Sequence, residues 1–180
     1  MAGVAGSASS YVGVDRIIAD ERLRLRSEDS ADTPFLLHLF KTTRAEQFAG
    51  AGLPPTVLDA LLEQQFRLQA RGYSAQFPDA TSLLIEWMGE PIGRLLLQCD
   101  ATDWRIIDIA LLASRRGQGI GTSVITAVAA AARRRQAQAL SLAVLVTNDA
   151  ARRLYRRLGF VETDINSASA HIEMRNDLAG

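Results

Sequence analysis

Hydrophobic and polar positions change their spacing along the chain, and each change marks a predicted element. Between residues 21 and 27 leucine alternates with arginine, the period of two that is typical of a half-buried strand. Residues 29–48 and 56–73 carry apolar side chains at the three- and four-residue spacing of amphipathic helices. We expect the second helix to take Thr56 as its N-cap and to stop at Gly72.

The rest of the pattern predicts six strands and two helices. The strands are expected at 82–88, 92–99, 105–113, 140–146, 160–165 and 169–176, and the helices at 121–136 and 148–159. Asn148 is the expected N-cap and Gly159 the expected C′ residue of the last helix. The order β-α-α-β-β-β-α-β-α-β-β predicts a single-domain α/β fold. Its sheet should be mostly antiparallel, with a central parallel pair across the middle helix.

We expect residues 1–15 to be a flexible leader and residues 16–180 to form the domain. The chain is long enough for one sizeable core, and its 22% charged and 48% hydrophobic residues are ordinary for a globular protein. A formal net charge of zero argues against bulk attraction to nucleic acid or to an anionic membrane.

The single cysteine, Cys99, excludes an internal disulfide and a cysteine-based metal cluster. We therefore expect no metal cofactor. No apolar run approaches the length of a membrane span, and the N-terminus lacks the pattern of a signal peptide. These observations predict a cytoplasmic protein that does not bind a membrane.

A glycine-rich stretch stands where a predicted strand meets a helix. Gly117, Gly119 and Gly121 follow two arginines and precede an apolar, alanine-rich run. Bare backbone at the start of a helix suits a phosphate, because the first N–H groups have no partner inside the helix. A simple tight turn is the alternative. A P-loop would need a lysine after the glycines, and a dinucleotide fingerprint would need glycine at Thr122.

Two motifs together resemble the GNAT superfamily of N-acetyltransferases. Arg116, Gly119 and Gly121 fit its R/Q-x-x-G-x-G/A pattern, and residues 148–160 fit N-x-x-A-x-x-L-Y-x-x-L-G-F. Ala113 departs from the pattern, since many members have proline there. The likeness is weaker before residue 83, where residues 42–80 resemble a bacterial subgroup of the superfamily and imply no particular substrate. The resemblance implies the GNAT fold, acetyl-CoA as cosubstrate and an amine as acceptor.

The resemblance also implies which residues hold the cofactor. The pyrophosphate would lie on main-chain N–H groups of the glycine stretch, and the pantetheine arm would run beside the strand that precedes it. A main-chain N–H near Leu111 could polarise the thioester carbonyl. The implied cofactor-binding residues are Ala110, Leu111, Leu112, Arg116, Gly117, Gln118, Gly119, Ile120, Gly121, Thr122 and Asn148.

Tyr155 and Asp108 are the candidate catalytic residues. A phenol can donate a proton or a hydrogen bond to the leaving CoA thiolate, and the resemblance gives this role to Tyr155. Asp108 interrupts an apolar strand, so its carboxylate is either the base that takes the proton of the amine or a structural hydrogen-bonding group. Glu86, Glu173 and His171 are the alternative bases.

Two classes of function follow from these motifs. The first is an acetyltransferase acting on an amine; the second is a non-catalytic module that binds acyl-CoA or a partner. Nucleic acid as a partner is disfavoured, because no aromatic residues interleave with the arginine-rich helices. A homodimer is a common arrangement in the family that the chain resembles. The resemblance also implies an acceptor pocket at the first two helices and the last hairpin. Small amines, amino acids, antibiotics and protein termini all stay open as acceptors.

Overall fold

A computed structural model describes residues 18–48, 52–164 and 170–178, and the predicted leader 1–15 lies outside these residues. The described part contains eight strands, four α-helices and three short 3₁₀ helices. The strands are β1 Ile18–Asp20, β2 Leu23–Ser27, β3 Thr81–Trp87, β4 Glu90–Cys99, β5 Asp103–Leu111, β6 Ala139–Leu145, β7 Val161–Asp164 and β8 His171–Asp177. The helices are α1 Thr33–Arg44, α2 Pro55–Gln76, α3 Ile120–Arg134 and α4 Asp149–Arg157.

All the described strands lie in one sheet of order β1-β2-β3-β4-β5-β6-β8-β7. The pair β5–β6 is parallel, and the other pairs are antiparallel. The predicted α/β class, the element order from β2 onward and the central parallel pair are therefore confirmed. The sequence pattern did not predict β1, because a strand of three residues is too short to establish a period of two.

The two faces of the sheet carry different helices. Leu83 and Ile85 of β3 belong to a buried apolar cluster that includes residues of α3 and α4, such as Val124 and Tyr155. Leu84, which lies between them in the strand, is buried outside this cluster, as the alternation of side chains along a strand requires. Helix α1 packs on α2 and contacts β4 and β5.

Helix α2 differs from its prediction at both ends. Pro54 is the N-cap and Pro55 the first helical residue, so Thr56 lies inside the helix. A proline at the first position costs no hydrogen bond and already has the required φ. The helix also continues through Gly72, because an interior glycine costs about 1 kcal/mol, which tertiary contacts of the next turn can offset. Those contacts include Tyr73, whose ring lies under a guanidinium.

The ends of α4 agree with the prediction. The Asn148 side chain accepts a hydrogen bond from the N–H of Ala151 at 3.1 Å, which makes it the N-cap. Gly159 has φ +87°, the left-handed conformation expected of the C′ residue. No helix in the described ranges is long and apolar enough to cross a membrane.

The parallel pair β5–β6 covers only half of β5. Pairing joins Asp103–Ile106 to Ala139–Leu142 and then stops. On the other side of β5, Leu96 is opposite Asp108 and Leu97 is opposite Ile106, so Ile107 is an extra, bulged residue. A bulge bends its strand and strengthens the local twist. The second half of β5 therefore leaves β6, and the sheet is open between them.

Candidate active site

A cleft of about 710 Å³ lies where β5 and β6 separate. Its walls come from both strands, from Arg116 just before the glycine stretch, from α1 and α2, and from the starts of α4 and β8. The lining residues are Leu36, Leu39, Phe40, Thr43, Arg44, Phe66, Gln69, Arg94, Asp108, Ile109, Ala110, Leu111, Arg116, Leu145, Asn148, Ala150 and His171.

The main chain of β5 presents free hydrogen-bonding groups to this cleft. The N–H of Leu112 donates to the carbonyl of Ile92 in β4 at 2.9 Å. Because partners alternate along an antiparallel ladder, the N–H and C=O groups of Ile109 and Leu111 point away from β4, toward the gap. The Leu111 carbonyl accepts from Arg116 Nε at 3.1 Å, and the Leu111 N–H faces the gap beyond Ile106, where β6 no longer pairs with β5.

The three residues predicted to contact the pantetheine arm differ in where their main-chain groups point. Leu111 offers a free N–H to the gap. Ala110 lines the cleft, but the same alternation directs its main-chain groups toward β4. Leu112 does not line the cleft, and its N–H is bonded to Ile92. A contact between Leu112 and the pantetheine arm stays a prediction.

The glycine stretch forms an open turn at the start of α3. Gly117 and Gly119 have φ of +73° and +79°, a region that L side chains rarely adopt, and a Cβ at either position would meet nothing within 4 Å. Gly119 is the N-cap, and its carbonyl accepts from the N–H of Ser123 at 3.0 Å. The N–H groups of Ile120, Gly121 and Thr122 in the first turn therefore have no helical acceptor.

Side chains brace this turn from both ends. The amide of Gln118 donates to the carbonyl of Ser114 at 2.8 Å, and the guanidinium of Arg116 holds the carbonyl of Leu111. The N–H of Arg116 is itself bonded to the carbonyl of Ala113 at 3.2 Å. The N–H of Arg116 is therefore already used within the turn, and this residue offers a ligand its guanidinium.

Asn148 lies at the cleft wall formed by the start of α4. Its side-chain oxygen caps the helix, and its side-chain NH₂ makes no hydrogen bond to another described residue. Both predicted roles are thus compatible, since the oxygen and the nitrogen serve different partners.

Tyr155 is buried on the face of the sheet that carries α3 and α4. It is 8% exposed and packs on the ring of Phe160, with 5.8 Å between ring centroids. It is not among the residues that line the cleft, and its hydroxyl makes no hydrogen bond to another described residue. Burial raises the pKa of Tyr155, and the negative charge of Asp108 raises it further. The phenol therefore stays protonated at neutral pH.

Asp108 lies in the cleft and forms an ion pair. Its Oδ2 accepts from Arg94 Nη2 at 2.8 Å, and the guanidinium of Arg94 lies 5.7 Å from the ring centroid of Tyr73. Its Oδ1 has no hydrogen bond to a described residue. The structural and the catalytic interpretations of Asp108 are therefore compatible, because one oxygen holds Arg94 and the other is open to a ligand.

Two of the alternative bases are committed elsewhere. Glu86 accepts from Arg26 Nε at 2.6 Å, and the same guanidinium makes two hydrogen bonds of 2.7 Å to Asp32. Glu173 forms a two-point pair with Arg105, each bond 2.8 Å long. Neither carboxylate lines the cleft.

His171 is the third alternative base, and it lines the cleft at the start of β8.

Burial raises the pKa of the Cys99 thiol to about 12, which makes it a poor nucleophile at neutral pH. Within the described ranges, no group of three or more His, Cys, Asp or Glu side chains could hold a metal ion.

The resemblance implied an acceptor pocket at the first two helices and the last hairpin, without naming its residues. The structure places Phe40 and Arg44 of α1 and Phe66 and Gln69 of α2 in the cleft wall. The available signal was their spacing of four and three residues, which puts each pair on one helix face. Which face meets the sheet depends on tertiary packing.

Residues 46–160 match the family model described as acetyltransferase (GNAT) family. The chain belongs to this family. No curated protein matches the chain significantly. Solved structures share the fold of this GNAT protein at low sequence identity.

One is the PaiA N-acetyltransferase of Thermoplasma acidophilum in complex with coenzyme A, 15% identical, with a TM-score of 0.65 over 86% of this chain and 98% of that one. Another is the Salmonella typhimurium acetyltransferase that modifies the N-terminal serine of ribosomal protein L7/L12, 22% identical, with a TM-score of 0.65 over 88% and 95%. A third is the ribosomal-protein-S18-alanine N-acetyltransferase of Escherichia coli, 19% identical, with a TM-score of 0.62 over 88% and 95%.

Proposed function

We propose that this GNAT protein transfers the acetyl group of acetyl-CoA to an amine by direct attack. The observation that carries the proposal is the Leu111 N–H that faces the unpaired β5–β6 gap, in the same cleft as Arg116. A thioester and a pyrophosphate need donors of these two kinds. The CoA complex of PaiA, which has the same fold, supports coenzyme A as the ligand.

The donor binds along the open edge of β5. The pyrophosphate lies on the first-turn N–H groups of α3, where the helix dipole also favours negative charge. The amide groups of the pantetheine arm pair with the main chain of Ile109 and Leu111, as an added strand would. The side-chain NH₂ of Asn148 gives the arm a further donor.

The reaction begins when the nitrogen lone pair of the neutral amine attacks the thioester carbonyl. An N–C bond forms, and the carbonyl oxygen gains negative charge beside the Leu111 N–H. The C–S bond then breaks, and the CoA sulfur leaves with the electron pair. Tyr155, whose phenol is protonated at neutral pH, donates a hydrogen bond or its proton to this sulfur.

The amine must lose a proton before it attacks, and a second when the C–N bond has formed. The open Oδ1 of Asp108 accepts a hydrogen bond from the ammonium and takes a proton directly or through water, while Oδ2 remains on Arg94. Since β5 and β6 do not pair beyond Ile106, no strand hydrogen bonds separate Asp108 from the face that carries Tyr155.

A panel of amines supplied with acetyl-CoA tests the proposal by release of free thiol, together with the mass of the acetylated amine. We expect thiol and acetylated amine in equal amounts. Tight binding of acetyl-CoA without acetyl transfer to any amine would instead identify a non-catalytic acyl-CoA-binding protein.

A further inference from the structure

Among the described residues, the cleft wall formed by α1 contains an arginine without a counterion. Of the three arginines in the lining, Arg94 pairs with Asp108, and Arg116 holds the Leu111 carbonyl. Arg44 has no carboxylate partner among the described residues, and its guanidinium lies 5.1 Å from the ring centroid of Phe40. Stacking of this kind holds a guanidinium in place and leaves its donors open to a carboxylate.

The wall beside Arg44 is apolar. The rings of Phe40 and Phe66 meet edge to face with 5.7 Å between centroids, and Leu36 and Leu39 extend the same surface. Arg44, Arg94 and Asp108 line the same cleft as these apolar side chains. The cleft thus brings together an open carboxylate oxygen, an open guanidinium and an apolar wall.

We propose that the acceptor is a free α-amino acid with an apolar side chain. This inference rests on the proposed function and names its substrate class. The amino group binds Oδ1 of Asp108, the carboxylate binds Arg44, and the side chain lies on Phe40 and Phe66. The charges of such a ligand match the two open groups of the cleft, and its side chain matches the wall between helices.

Other amines fit this arrangement less well. The N-terminus of a protein has a neutral amide where the amino acid has its carboxylate, so a bound peptide would bury Arg44 without giving it a counter-charge. A polyamine would place a second cation beside Arg44. In the proposed reaction the α-nitrogen forms the N–C bond, the CoA thiolate leaves, and the products are an N-acetyl amino acid and CoA.

Leucine, leucinamide and 3-methylbutylamine form the test series, because they share a side chain and differ at the carboxylate. We expect kcat/KM for leucine to exceed that for leucinamide or 3-methylbutylamine by about 10- to 100-fold, the range of a charge-assisted pair. Equal values across the series would overturn the inference. Faster acetylation of a peptide that begins with leucine would overturn it in favour of protein termini.

The Arg44→Gln variant should lower kcat/KM for leucine by the same 10- to 100-fold and leave that for 3-methylbutylamine near its original value. Arg44→Lys keeps the charge, so its kcat/KM for leucine should lie between those of the original protein and of Arg44→Gln. Arg67→Gln is the matched control, because Arg67 lies on α2 outside the cleft and pairs with Glu63. An equal loss for leucine and 3-methylbutylamine in Arg44→Gln would contradict a carboxylate contact.

Calorimetric titration of leucine into the CoA-saturated protein separates this inference from the proposed function. We expect leucine binding that is weakened about 10- to 100-fold by Arg44→Gln and is unchanged by Arg67→Gln. Such binding without turnover would support the inference and contradict the proposed reaction. Turnover of 3-methylbutylamine without leucine binding would contradict the inference and leave the reaction standing.

Discussion

Replacement of Tyr155 by phenylalanine isolates the hydroxyl from the packing. The ring is 8% exposed and lies against Phe160, and phenylalanine keeps both features. The hydroxyl has no hydrogen-bond partner among the described residues, so its removal leaves no buried group unsatisfied. We therefore expect Tm and the Kd for acetyl-CoA to stay close to their original values.

The expected loss of turnover follows from the role of the hydroxyl at the leaving group. A hydrogen bond to a charged group is worth about 1.5–3 kcal/mol, which corresponds to about 10- to 150-fold in rate. A thiol has a pKa near 8.5, so its thiolate leaves tolerably without full proton transfer. The loss should therefore fall at or below the lower end of the 10²–10⁴-fold range that is typical for loss of a general acid.

Steady-state thiol release measures this loss under conditions where the chemical step limits the rate. Tyr73→Phe is the matched control, because burial and the charge of Asp108 also raise the pKa of Tyr73, which lies outside the proposed machinery. We expect Tyr73→Phe to retain turnover. A Tyr155→Phe protein with unchanged turnover would show that Tyr155 is a packing residue.

Three further predictions concern the proposed phosphate-binding site, the ion pair in the cleft and the stability of the fold. Gly121→Glu should abolish CoA binding, and Gly121→Gln should weaken it less, because only glutamate adds a charge that repels the phosphate. Position 121 has no left-handed backbone strain, so both variants should fold. Equal Kd values for the two variants in calorimetry would contradict a phosphate-binding site at this turn. Asp108→Asn should lower both Tm and turnover, because it leaves the largely buried Arg94 unpaired. Adding Arg94→Gln should restore Tm but not turnover; a double variant that regains Tm and turnover would show that the pair is purely structural. The hydrogen bond from Arg26 lowers the pKa of Asp32 to about 2, so this carboxylate stabilises the fold above its unfolded pKa of about 4 and loses that contribution as pH falls to about 2. Asp32→Asn should flatten the acid-unfolding curve in that window, and an unchanged curve would contradict the assignment.

Features governed by local physics could be predicted from the sequence. The caps of α4 depend on Asn148 and Gly159 themselves, and the turn before α3 depends on the freedom of Gly119. The alternating and helical patterns likewise gave the element order, because each pattern reports burial of one face. These features require no knowledge of distant residues.

Features that depend on long-range contacts could not be predicted in the same way. The partner of Asp108 is Arg94, fourteen positions earlier and on the neighbouring strand, and only the register of β4 with β5 brings them together. The bulge at Ile107 is likewise a property of that register. Arg44 enters the cleft because α1 packs over β4 and β5, and nothing in its local sequence specifies that contact.

A crystal structure of the protein with CoA tests the central claim most directly, namely that the β5–β6 gap and the glycine turn form one binding site for acetyl-CoA. We expect the pyrophosphate on the N–H groups of Ile120, Gly121 and Thr122. We expect the pantetheine amides to pair with Ile109 and Leu111, and the sulfur to lie within hydrogen-bonding reach of the Tyr155 hydroxyl. CoA bound elsewhere, or β5 and β6 paired along their full length in the complex, would contradict the account.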